Sequence, residues 1–157
     1  MTDEIETARM RIRALTDAQL RGVVDAERDP ELKEAYAESL DGALANPEGR
    51  LWHTLWVMTL KDAPETVVGN LGFKGLDGSR VVEIGYGTTP GFEGRGLMTE
   101  AVGGMLRWAI ATGCVDAVEA ETAPENAASQ RVLEKNGFRF AGKFGEEGPR
   151  FRWENPR

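Results

Sequence analysis

Glu93-Gly94-Arg95-Gly96-Leu97-Met98-Thr99 is the stretch of this chain whose residue types and spacing most directly suggest chemistry. Glycines let a backbone approach a ligand closely, and a helix starting just after them offers its first N–H groups, which lack intrahelical partners, to an anion. A pyrophosphate is the natural occupant of such a junction. The same residues also read as a plain glycine-rich turn from strand to helix, and the stretch alone leaves both readings open. Gly94-x-Gly96 can be mistaken for the opening of a dinucleotide fingerprint. However, Thr99 stands where the third glycine belongs, and too little chain follows for the further strand-helix units of that fold. Other chemistries are narrowed by subtraction. Cys114 is the sole cysteine and His53 the sole histidine. An internal disulfide and a cysteine zinc site are therefore excluded, and metal, Ser-His or Cys-His catalysis lacks its usual parts.

The elements that must position this junction follow from the hydrophobic period. Residues 10–15 alternate Met, Ile and Leu with Arg and read as a first strand, after which Thr16 offers a helix cap. Residues 17–45 are rich in Ala, Glu and Leu, and Pro30 divides them into two helices. From Leu51 the period changes to two, and 51–60, 66–73 and 80–88 read as successive strands of an antiparallel meander. The glycine loop then leads into a helix over 97–112, stopped by Gly113, and a strand over 115–122. That strand-helix-strand unit makes the flanking strands parallel neighbours. A helix over 126–135 and a hairpin of 138–144 with 150–153 close the chain. The expected fold is one α+β domain over 1–157. Its mixed, mostly antiparallel central sheet has about seven strands and is flanked by about four helices.

A net charge of -7 and a pI near 4.9 argue against a sequence-independent grip on nucleic acid and favour a cationic partner, although charge that only keeps a protein soluble looks the same. Residues 1–10 are polar and charged, and no apolar run approaches the roughly 18 residues of a membrane span. The expectation is a cytoplasmic protein with no membrane partner.

With its surroundings, the glycine loop resembles the acetyl-CoA-binding motif of the GNAT superfamily of N-acetyltransferases. The family pattern is Gln or Arg, two residues, Gly, one residue, then Gly or Ala. Here Glu93 takes the first position, Gly96 fits the second and Met98 takes the third. Glu83-Ile84-Gly85-Tyr86 ahead of Pro90, and the run from Pro124 through Asn126, Ser129, Leu133, Lys135 and Asn136-Gly137 to Phe138, stand in the family's order. Together they resemble most closely the branch containing the ribosomal-protein N-terminal acetyltransferases RimJ and RimL.

The resemblance implies a sheet that splays after its fourth strand, with acetyl-CoA as cosubstrate in the V-shaped gap and no metal. It implies acetyl transfer to a primary amine, either a protein N-terminus or a small molecule, by direct attack in a ternary complex of a monomer or homodimer. Glu83 would act as general base, directly or through a water. Tyr86, Gly87 and Thr88 would bond the pantetheine and the thioester oxygen. Glu93, Gly94, Arg95, Gly96, Leu97, Met98 and Thr99 would cradle the pyrophosphate, and Asn126, Ser129 and Lys135 would complete the CoA site. Many relatives place a proton-donating tyrosine where this chain has Leu133, so Ser129 or a water would assist the leaving thiolate. Trp52 and Trp56 could wall the acceptor side, or lie in the core. Glu121 and Glu119 could attract a cationic acceptor, or be solvated. The alternative function is a non-catalytic module of the same fold that binds CoA or a peptide. A third reading, transfer of a different acyl group, turns on the pocket beside Gly85 and Gly87.

Overall fold

The computed structural model describes residues 1–156. Strands β1 (Glu4–Glu6) and β2 (Met10–Ala14) are followed by helices α1 (Asp17–Ala26) and α2 (Pro30–Ala45). The α1 start is fixed by a capping box between Thr16 and Gln19, and α2 by the Asp29 carboxylate with Pro30 in its first turn. Strands β3 (Trp56–Leu60), β4 (Ala63–Phe73) and β5 (Val81–Thr88) form the meander, α3 (Leu97–Thr112) and β6 (Ala117–Glu121) follow, and α4 (Ala127–Lys135), β7 (Arg139–Phe144) and β8 (Pro149–Glu154) end the chain. The eight strands are ordered β1-β2-β3-β4-β5-β6-β8-β7, antiparallel throughout except for the β5–β6 pair. Among the described residues no helix is long and apolar enough to cross a membrane.

Two departures from the sequence reading have local causes. β1 was not expected, because three residues reading Glu-Ile-Glu carry no usable period, yet they pair with Arg11–Arg13 and Ile5 packs onto the core. The run 51–60 is not one strand: Arg50–Trp52 forms a 3-10 turn, and the strand begins only at Trp56. Arg50 and the Thr54 hydroxyl both donate to the Leu15 carbonyl, at 2.8 and 2.9 Å, and hold this segment curled against the start of α1.

The sheet opens between β5 and β6. Their parallel register covers only Val81↔Ala117, Val82↔Val118 and Glu83↔Glu119. Beyond Glu83, β5 continues on β4 alone (Leu71↔Tyr86, Asn70↔Gly87), while β6 continues on β8 as far as Glu121↔Arg150. The splay therefore lies where the fourth expected strand meets the fifth, shifted by one in number because of β1. Side chains alternate across β5: Val82 and Ile84 are buried in the core that α3 covers, and Glu83 faces the other side. Trp52, Trp56, Phe73 and Trp108 pack within that core, with ring centroids 4.7 Å apart for Trp52–Trp108 and 5.2 Å for Trp56–Trp108. A smaller cluster of Leu20, Leu40 and Leu55 seats α1 and α2 on the opposite face.

Candidate active site

The glycine loop crosses the mouth of the gap with Gly91, Gly94 and Gly96 all at positive φ. Gly96 sits at φ 74° as the residue preceding α3, and no side chain caps the helix there. A non-glycine residue pays in strain for that conformation, and a capping side chain would occupy the N–H groups that the helix turns toward the gap. A Cβ built on Gly94 would meet nothing within 4 Å, so the loop leaves open space in front of its backbone. The Glu93 carboxylate folds back on its own loop, accepting the Gly91 N–H at 2.7 Å, and the backbone N–H groups of Glu93 itself and of Gly91 hold its carboxyl below the ordinary value. A tie from outside the motif fixes the loop. Arg9, in the turn between β1 and β2, donates to the Arg95 carbonyl at 2.9 Å and to Glu100 in the first turn of α3 at 2.8 Å.

Two cavities meet at the splay. One, of about 460 Å³, lies between β5, the glycine loop, α3 and α4. Tyr86, Gly87, Thr88, Glu93, Gly94, Gly96, Leu97, Met98, Thr99, Asn126, Ser129 and Lys135 all line it, so the structure brings these sequence-chosen residues together. Arg95 is an exception. Its guanidinium stacks over the Phe92 ring at 5.1 Å and does not line the cavity. Asn126 accepts the Ser129 N–H at 3.0 Å, so it caps α4 while lining the site. Arg131 was not singled out from sequence, although it stands one turn before Lys135 and puts a second cation on the same helix face.

The second cavity, of about 370 Å³, lies on the opposite face under α2. Glu38, Glu83, Glu121 and Glu147 line it with Lys74, His53, Tyr36 and Asn70. Glu83 accepts Lys74 Nζ and Arg150 Nη2, each at 2.9 Å. Burial pushes its pKa up, but the hydrogen bonds and charges of these two cations outweigh burial and hold the carboxyl below its ordinary value. Arg150 also donates to Glu119 at 3.1 Å and to Glu121 at 2.7 Å, tying three carboxylates together across β5 and β6. Glu121 therefore borders this cavity with its charge already partnered by Arg150 and by the Glu147 N–H. Burial pushes the His53 pKa down, keeping the imidazole neutral at pH 7. His53 fits closely against Gly42 and Gly75, where a Cβ would lie 2.4 and 2.6 Å from its ring.

The aromatic wall is corrected. Trp52 and Trp56 are 1% and 0% exposed and line neither cavity. Trp52 in the 3-10 turn and Trp56 at the start of β3 both enter the α3-side core, while Leu55 takes the α2 side. Leu133 is 0% exposed and has no proton to give. Among the described residues, no group of three or more His, Cys, Asp or Glu side chains could hold a metal ion.

A splayed mixed sheet, a bare helix start facing one cavity and an acidic second cavity joined to it make up the architecture of the candidate site. The chain belongs to the GNAT acetyltransferase family: the Acetyltransferase (GNAT) domain matches residues 9–139. It is 34% identical over 84 residues to an uncharacterized N-acetyltransferase, YjdG, of Bacillus subtilis (strain 168), a match spanning 53% of this chain and 49% of that protein. An acetyltransferase structure from Agrobacterium tumefaciens str. C58 superposes with a TM-score of 0.73 at 22% identity, covering 99% of this chain and 96% of the other. RimL, a ribosomal L7/L12 alpha-N-protein acetyltransferase solved with coenzyme A, superposes at 0.73 and 14% identity, covering 96% and 97%. These structural likenesses carry the fold.

Proposed function

We propose that the protein transfers an acetyl group from acetyl-CoA to a primary amine by direct attack in a ternary complex. The observation that carries this reading is that both cavities share Tyr86 and Gly87, so ligands bound on opposite faces of β5 meet at one point. Acetyl-CoA suits the first cavity. The α3 N–H groups with Arg131 and Lys135 suit its phosphates, and the β5 edge past Glu83, which no strand covers, can bond the pantetheine amides as an added strand would. The acidic lining of the second cavity suits a cationic amine, from a small molecule or from the amino terminus of a peptide.

Glu83 faces the acceptor. A carboxyl held below its ordinary pKa is a poor base toward a free ammonium, whose pKa is about 10.4. Once the neutral amine has attacked, its nitrogen becomes strongly acidic, and an ionised carboxylate directly or through a water can then take the proton. Glu83 thus attracts the amine and collects its proton after attack, while a β5 N–H at Gly87 or Thr88 steadies the oxyanion.

The test is a screen of peptide and small-molecule amines with acetyl-CoA, read by thiol release and product mass. A mass gain of one acetyl group on an amine is expected. Coenzyme A binding with neither acetylation nor hydrolysis across the screen would instead support a non-catalytic module.

A further inference from the structure

Breaking a thioester leaves a thiolate, and a proton must reach that sulfur in each cycle. Building on the transfer reaction above, we infer that the Tyr86 phenol is the general acid that protonates the departing thiolate, with Ser129 holding the phenol in position. Tyr86 follows Val82 and Ile84 on the α3 side of β5, the face away from Glu83, and lines both cavities where they join. Its hydroxyl reaches α4, lying 2.8 Å from Ser129 Oγ and donating to the Ser129 carbonyl at 3.1 Å. Ser129 is itself fixed by its N–H bond to Asn126, so two atoms of a capped helix start orient the phenol. Ser129 lines only the first cavity, and Leu133 one turn further on is apolar and buried.

Acid strength also favours the phenol over the serine. A phenol with an ordinary pKa of about 10 lies close to a thiol at about 8.5, whereas an aliphatic hydroxyl is a far weaker acid. Burial pushes the Tyr86 pKa up, the Ser129 hydrogen bond offsets part of that rise, and the phenol stays protonated at neutral pH. The step balances without a further reagent. The C–S bond breaks, its electron pair stays on sulfur, and the Tyr86 proton passes to it to give the free thiol. Water returns a proton to the phenolate as product leaves, while the amine proton departs through Glu83 on the other face.

The test compares the wild type, Tyr86→Phe and Ser129→Ala with acetyl-CoA and with p-nitrophenyl acetate, whose leaving anion needs no proton at neutral pH. Tyr86→Phe is expected to lower kcat with acetyl-CoA by roughly 100-fold, the usual worth of a general acid, and to cost turnover of p-nitrophenyl acetate far less. Coenzyme A affinity and Tm, measured on the same samples, should stay near wild type, because Phe keeps the ring in its place. Ser129→Ala should cost less, since the phenol keeps its proton and loses only an anchor. Equal losses with both donors, or no loss with acetyl-CoA, would overturn the acid role while leaving the transferase reading intact. A wild-type protein inert toward both donors would overturn the two together.

Discussion

Glu83 sits between two cations, Lys74 Nζ and Arg150 Nη2, and that pairing bears directly on its proposed role as a base. Its depressed pKa keeps the carboxyl ionised at every pH where an amine acceptor is partly neutral, so Glu83 itself contributes no titration step near neutrality. The acidic limb of kcat/KM should therefore follow the acceptor: two amines of different pKa should give limbs displaced by that difference, both rising with pH. Glu83→Gln should lower kcat by roughly 100-fold at neutral pH. Coenzyme A affinity should survive, because Glu83 lines the second cavity and not the first. The gap to wild type should narrow as pH rises and solvent takes over proton removal. Near wild-type turnover of Glu83→Gln at pH 7 would show that another group, such as Glu121, collects the proton.

At the scale of elements, the link between β6 and β8 is electrostatic as well as hydrogen-bonded. Glu119 is largely buried and accepts Arg152 Nη1 at 2.9 Å and Arg150 Nη2 at 3.1 Å, with Lys143 nearby. Burial raises its pKa, but these partners outweigh burial and hold the carboxyl below its ordinary value of 4.5. A carboxyl depressed in the folded state stabilises fully above that ordinary value, and the stabilisation is lost as pH falls through and below it. Glu119→Gln should cost about 1–3 kcal/mol at pH 7, and its Tm deficit should shrink as melts are taken down to about pH 3.5. A deficit that stays constant over that range would assign Glu119 a packing role without charge. Such partnerships also mark the limit of what the chain discloses before folding. The β5-loop-α3-β6-α4 order was legible because period changes, Gly94, Gly96, Gly113 and Pro90 punctuate it locally. The partners of Glu83 were not, since Lys74 and Arg150 lie 9 and 67 positions away and meet it only through the β4–β5 and β6–β8 registers. Arg9 ties down the glycine loop from 86 positions upstream. Trp52 and Trp56 were open to misreading because a period of two puts both on one face but does not say whether that face meets the core or the gap.

In the whole molecule, the splay leaves two half-sheets, β1–β5 and β6–β8, joined along the strands by only three residue pairs, with α3 packed across them. The proposed acetyl-CoA cavity draws its wall from both: Tyr86, Gly87 and Thr88 come from the first half, and Asn126, Ser129 and Arg131 from the helix between β6 and β7. A ligand there bridges this short seam, so its binding energy should appear as resistance to opening of that seam. At a free concentration 100 times its Kd, a ligand bound only by the folded state stabilises it by about 2.7 kcal/mol, which raises the Tm of a domain this size by roughly 5–10 °C. Linkage gives an amide that protection only if the opening that exposes it also releases the ligand. Amides exposed by sub-global opening of the gap meet that condition, whereas amides elsewhere that exchange through local fluctuations leave the ligand bound and gain little. Hydrogen exchange with and without coenzyme A should therefore show the largest added protection at 86–88, in the first turn of α3 and in α4, and less in β2 and β3. A rise in Tm with no such excess at the seam would mean that coenzyme A binds elsewhere on the chain, and no rise at millimolar coenzyme A would remove the ligand from the first cavity altogether.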